Sequence, residues 1–76
     1  MSPKLPRVTA AELLRALRQD GWVELRQRGS HVILDHPVKA GLVVIPMHKG
    51  KTLPTGLINS FLDDAGMSAD DLRGLL

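Results

Sequence analysis

The segment Arg28-Gly29-Ser30-His31 places a guanidinium, a glycine turn and a histidine within four residues. Histidine can accept and donate a proton near neutral pH because its unperturbed pKa is about 6.5. RNA cleavage needs such a group, since a base removes a ribose 2′-hydroxyl proton, the oxygen attacks the adjacent phosphate, and Arg or Lys stabilises the developing charge. The alternative is a histidine that only packs at a strand end. Ser30 and His31 are not expected to act as a nucleophile pair, because adjacent strand residues point to opposite faces.

A second group of candidate residues follows Pro46. Here Lys49 and Lys51 flank a glycine, so they can contact a phosphate backbone as point charges, and His48 is the candidate second proton carrier. The alternative is an ordinary solvated loop. His36 lies about 17 Å from His31 if the strand is regular, and we interpret it as structural.

The composition argues against metal and thiol chemistry. The absence of cysteine excludes disulfides, cysteine-based zinc sites and thiol catalysis. The spacing of the three histidines does not match a helical ligand pair, and the four aspartates within 61–76 are interpreted as caps and surface charge. We therefore predict that the protein binds no metal and no cofactor.

Size and charge favour one small domain with an open site. A 76-residue chain has little room for a deep cavity, which favours a polymeric substrate. Residues 1–60 carry nine Lys/Arg and four Asp/Glu, whereas residues 61–76 carry one Arg and four Asp, a distribution compatible with nucleic-acid binding or with solvated surface. The start of the chain lacks the apolar run of a signal peptide, and the expected location is the cytoplasm.

The first element is predicted to be a helix. Thr9 and Glu12 have the spacing of a capping box, the leucines that follow form an apolar stripe, and Gly21 is expected just past the helix end. Trp22 is interpreted as a core residue. Because other exposed aromatics are scarce, an aromatic stacking platform for single-stranded RNA is disfavoured.

Three short strands are predicted next, over 22–28, 31–36 and 42–46. In the first, Val23 and Leu25 should lie on one face and Glu24, Arg26 and Arg28 on the other. A tight turn joins the first two strands at residues 29–30, and a turn over 37–41 leads to the third.

Two further helices complete the predicted order. Pro54 suits the first turn of a second helix, which presents an apolar stripe and ends at Gly66. The stripe comprises Leu57, Ile58, Phe61, Leu62 and Ala65. Ser68 caps a short terminal helix. The predicted fold class is α+β, a two-layer sandwich in which two helices cover one face of a three-stranded antiparallel sheet.

The order of these motifs resembles the HicA family of toxin–antitoxin systems. The resemblance covers residues of about 10–66. We predict a single domain over 1–76, with a core of about 9–66 and a short C-terminal helix over 67–76. It rests on these segments: Gly21-Trp22-Val23, Arg28-Gly29-Ser30-His31, Val43-Val44-Ile45-Pro46, His48, Gly50-Lys51, Leu53-Pro54-Thr55-Gly56, Ile58 and Ala65-Gly66.

The resemblance implies a fold similar to double-stranded-RNA-binding domains and an mRNA interferase that arrests growth. It implies that His31 is catalytic, that Gly29 and Ser30 shape the turn presenting it, and that a HicB antitoxin covers the active-site face. From electrostatics, we add Arg28, Lys49 and Lys51 as phosphate contacts. Two alternatives stay open, a double-stranded-RNA-binding-like module that does not cut and a protein that only docks to a partner.

Overall fold

The computed structural model describes residues 7–47 and 51–76. Three strands form one antiparallel sheet in the order β1-β2-β3. Both longer helices, α1 and α2, pack against β3, and α3 packs against α1, which confirms the predicted α+β arrangement. The elements are α1 (Ala10–Gln19), β1 (Val23–Arg28), β2 (His31–Asp35), β3 (Val43–Pro46), α2 (Thr55–Ala65) and α3 (Ala69–Leu75).

The start of α1 confirms the predicted capping box. The Thr9 N–H donates to Glu12 Oε1 at 3.0 Å, and the Glu12 N–H donates to Thr9 Oγ1 at 3.2 Å. The backbone and hydroxyl bonds from Thr9 lower the pKa of the Glu12 carboxyl from its usual 4.5, because they stabilise the charged form. The same reciprocal pattern joins Ser68 and Asp71 at the start of α3, as the sequence predicted for Ser68.

The core lies between the helices and one face of the sheet. The inward side chains of β2 are Val32 and Leu34, and those of β3 are Val43 and Ile45, all of them buried. They meet the apolar stripes of α1 and α2 and the buried Leu72 of α3. Alternate strand residues point to the other face. We call that face, which points away from the helices, the outer sheet face.

Strand β1 departs from its predicted alternation. A β-bulge lies between Glu24 and Arg26, so the single step from Leu34 to Ile33 on β2 is opposed by two steps on β1. The prediction that Glu24 shares a face with Arg26 and Arg28, opposite Val23 and Leu25, was wrong, because the bulge puts Glu24 on the other face from the two arginines. The side chains of Val23 and Leu25 are 60% and 56% exposed, because Val23 opposes Asp35 on the outer sheet face and Leu25 is the extra residue of the bulge.

Two details of α2 also differ from prediction. Pro54, predicted in the first turn of the helix, is instead the N-cap residue that precedes it. Leu57 was predicted to face the core but is 41% exposed, because it lies beside the buried stripe rather than on it. The helix ends as predicted at Gly66, which has a left-handed φ of 65°.

A polar cluster closes the end of the sheet opposite the β1–β2 turn. His36 Nδ1 accepts the backbone N–H groups of Val38 and Lys39, both at 3.0 Å, and its Nε2 lies 2.9 Å from the Asp20 carbonyl oxygen. These partners assign the tautomer with hydrogen on Nε2. The ring also contacts the buried Trp22 edge-on, with centroids 5.1 Å apart. His36 is therefore structural, as predicted.

Gly21 is required where α1 turns into β1. Its φ is 104°, and a Cβ atom added there would lie 2.8 Å from His36 Nε2. We expect Gly21→Ala to lower the free energy of unfolding by about 2–4 kcal/mol, through backbone strain and loss of the bond between His36 and Asp20. Urea unfolding measures this. Gly74→Ala is the control, since it adds its methyl group in open space within a helix and should cost nothing.

The caps predict a pH dependence. Because the folded-state pKa of Glu12 is lowered, its contribution to stability is present above the unfolded value of about 4.5 and is lost as pH falls through the folded value. We expect Glu12→Gln to be less stable than the parent at pH 7. Urea unfolding at pH 7 and pH 3 should show the two proteins converging in acid, and an equal difference at both pH values would contradict this explanation.

Candidate active site

A two-residue turn joins β1 to β2 and sets up the candidate site. Gly29 has a φ of 59° and Ser30 does not have a positive φ, the pattern of turns with glycine in the first central position. Gln27 Nε2 donates to the Gly29 carbonyl oxygen at 3.1 Å. The Met47 N–H donates to the Ser30 carbonyl oxygen at 2.6 Å, which ties the end of β3 to the turn.

Directly beyond this turn, Arg28 on β1 pairs with His31 on β2. Directly opposed residues share one face of a sheet, with Cβ atoms about 5 Å apart. His31 also pairs with Pro46 on β3, so the three side chains form a row across the sheet. His31 is exposed and lies on the outer sheet face, because its neighbour Val32 points into the core.

A second row lies on the same face, two residues further from the turn. It comprises Arg26, Ile33 and Val44. Ile33 is half-buried and Val44 is 40% exposed, so the surface beside His31 is apolar at its centre and cationic along β1. Arg26 was not among the predicted site residues. Strand alternation had nevertheless placed it on the same face as Arg28, and the regular register between these two residues confirms that.

Of the predicted site residues, Arg28, Gly29, Ser30 and His31 come together at this turn. Lys51 is exposed and precedes Thr52, whose backbone bridges Thr9 beside the start of α1. The predictions for His48 and Lys49 fall outside the described residues.

The arrangement offers open access to an imidazole beside a guanidinium. A phosphate could approach both groups from solvent, which suits a polymer better than a small enclosed substrate.

A shallow groove of about 260 Å³, lined in part by Val23, Leu25 and Pro37, lies at the other end of the sheet and does not include His31. Within residues 7–47 and 51–76, no three His, Asp or Glu side chains are grouped so that they could hold a metal ion. The helices of this same part of the chain are too short or too polar to span a membrane.

Comparison with known proteins identifies the family. A family model described as the HicA toxin of bacterial toxin–antitoxin systems matches residues 10–67. The match includes the helix α1, the whole sheet, the turn that carries His31, and α2. A search of curated proteins found no match to the chain.

The turn predicts a graded response to substitution at Gly29. We expect Gly29→Ala to lower the free energy of unfolding by about 1–2 kcal/mol, because alanine is strained at positive φ. Gly29→Asn should cost less, since asparagine tolerates this conformation. A Cβ here meets open space, so steric contact does not confound the series. Equal stability of glycine and alanine in urea unfolding would show that the turn adopts another conformation.

Proposed function

Because the chain belongs to the HicA toxin family of bacterial toxin–antitoxin systems, we propose that it is a metal-independent endoribonuclease that cleaves mRNA. Family membership itself identifies a toxin that works with an antitoxin partner. The observation that supports the catalytic proposal is the exposed His31, paired directly across the sheet with Arg28.

The proposed reaction uses the RNA's own 2′-hydroxyl as nucleophile. A base takes the 2′-hydroxyl proton, the O2′–P bond forms, the P–O5′ bond breaks, and the leaving 5′-oxygen receives a proton. His31 performs one of these two transfers. Arg28 stabilises the negative charge that grows on the phosphate oxygens. The products are a 2′,3′-cyclic phosphate and a 5′-hydroxyl end.

The remaining assignments belong to the same proposal. Gly29 and Ser30 shape the turn beneath the phosphate, Lys49 and Lys51 contact the RNA backbone, and His48 is the candidate second proton carrier. No metal or cofactor takes part. The burial of Leu72 in the common core supports a single domain that includes the terminal helix.

We also propose that a HicB-type antitoxin covers the outer sheet face. The exposed apolar side chains of Val23, Leu25 and Val44 on this side of the sheet support the proposal. A protein seated there would bury apolar surface and block the approach of RNA to His31 in one step.

The decisive experiment is RNA cleavage by purified protein in EDTA. We expect the parent protein to cut, and His31→Ala to cut at least about a hundredfold more slowly, the usual loss for a general acid or base. The new ends should be cyclic phosphate and 5′-hydroxyl. A single 2′-deoxynucleotide at a mapped cleavage site should block cutting there, because it removes the nucleophile.

Controls separate this proposal from its rivals. His31→Ala purified in the same way measures contaminating nuclease, and its thermal unfolding shows whether it is folded. Parent protein that binds RNA without cutting it would instead be a double-stranded-RNA-binding-like module, and negligible affinity even at low salt would indicate a docking protein. In the same assay, a loss in His48→Ala as large as that in His31→Ala identifies the second proton carrier.

A further inference from the structure

We infer that Arg26 is a second phosphate contact beside the site, and that the bulge at Leu25 keeps the carboxylate of Glu24 off the face that Arg26 shares with Arg28. The inference rests on the proposed function, in that it takes the outer sheet face as the RNA-binding surface. It goes further by assigning the path of the RNA strand, whose backbone would run along β1. Three observations carry it: the register of β1, the partner of Glu24, and the distribution of ion pairs.

The register decides which charges share a face with His31. In a regular strand, residues 24, 26 and 28 would all point the same way. Here Arg28 opposes His31 and Arg26 opposes Ile33, both on the outer sheet face, whereas Glu24 opposes the buried Leu34. The extra residue of the bulge therefore separates Glu24 from the two arginines. Without it, a carboxylate would stand beside them and repel phosphate.

The contact made by Glu24 is independent evidence for this separation. Its Oε2 lies 2.7 Å from Arg18 Nη2, a side chain of α1 in the helix layer. The carboxylate is thus both turned away from the RNA-binding surface and neutralised on the helix side. An ion pair this exposed adds little stability. Its clearer consequence is that the negative charge stays on the helix side of the sheet.

The ion pairs of the described residues follow the same division. Arg18, Lys39 and Arg73 each pair with a carboxylate in or next to the helix layer. Arg26 and Arg28 have no such partner among residues 7–47 and 51–76. Cations without an intramolecular partner are free to bind phosphate without first breaking a pair.

The spacing of the two arginines suits a nucleic-acid backbone. Residues two apart on a strand are separated by about 7 Å, comparable with neighbouring phosphates of one RNA strand. With the phosphate to be cleaved at Arg28 and His31, the next phosphate would reach Arg26. Asp35, the carboxylate of β2 on this face, lies about 13 Å along the strand from His31 and about 7 Å from Ile33, the residue opposite Arg26.

The test measures RNA binding in the His31→Ala protein, so that the RNA stays intact. Adding Arg26→Gln should weaken binding about tenfold, the effect of one charged hydrogen bond. It should also lower the slope of log affinity against log salt by about one. The matched control is Arg15→Gln, which removes the same charge from an exposed position on α1 and should change neither quantity appreciably.

A second variant tests the separation of charges by the bulge. Glu24→Gln should leave RNA affinity within about twofold of the His31→Ala protein, because the carboxylate faces the helices. A gain as large as the loss in Arg26→Gln would place Glu24 on the RNA-binding surface and overturn the inference. Thermal unfolding checks that each exposed substitution leaves the protein folded.

The outcomes also separate this inference from the proposed function. If the parent cuts RNA but Arg26→Gln and Arg15→Gln have the same affinity and salt slope, the Arg26 contact is refuted and the nuclease stands. If the parent binds without cutting and the slope depends on Arg26, the contact stands and catalysis fails. If His31→Ala protein has no RNA affinity even at low salt, the contact is refuted together with the RNA-binding surface.

Discussion

Burial of one sheet face is the constraint on which the rest of the structure depends. The helices cover only the inner face, so Val32 and Leu34 must point inward, and strand alternation then turns His31 outward. A shift of β2 by one residue would bury the imidazole and expose the core. The position of His31 is therefore fixed by packing energy on the opposite side of the sheet, reinforced by the tight turn at Gly29.

The two ends of the sheet have different tasks. At one end, Lys39 Nζ lies 2.6 Å from Asp20 Oδ2 and 2.9 Å from the Ala65 carbonyl oxygen, so one side chain joins the loop before β3 to the ends of α1 and α2. His36 adds bonds to the same cluster. At the other end, the side chains of Arg28 and His31 are left to solvent. Polar groups thus stabilise the fold at one end and stay available for chemistry at the other.

Local signals in the sequence predicted most of the architecture. The capping residues, the glycine turns and the apolar periods identified every element, and the turn at Gly29 brought Arg28 to His31. The edge strand β1 was harder to predict from the sequence, because its bulge depends on tertiary pairing rather than on local composition. The exposure of Val23 and Leu25 and the pairing of Glu24 with Arg18 follow from the bulge, whereas alternation already predicted the face of Arg26. The indole N–H of the buried Trp22 has no hydrogen-bond partner among the described residues, and no pattern in the sequence predicts this.

The irregularity of β1 has one more consequence, for the behaviour of the free protein. A three-stranded sheet leaves two strand edges, and straight apolar edges recruit strands from other molecules. Charged side chains and a local kink are the usual protection against such association, and β1 has both. Substitutions that remove the bulge and the charged side chains of β1 should therefore produce a protein that folds correctly and then self-associates through its sheet edges.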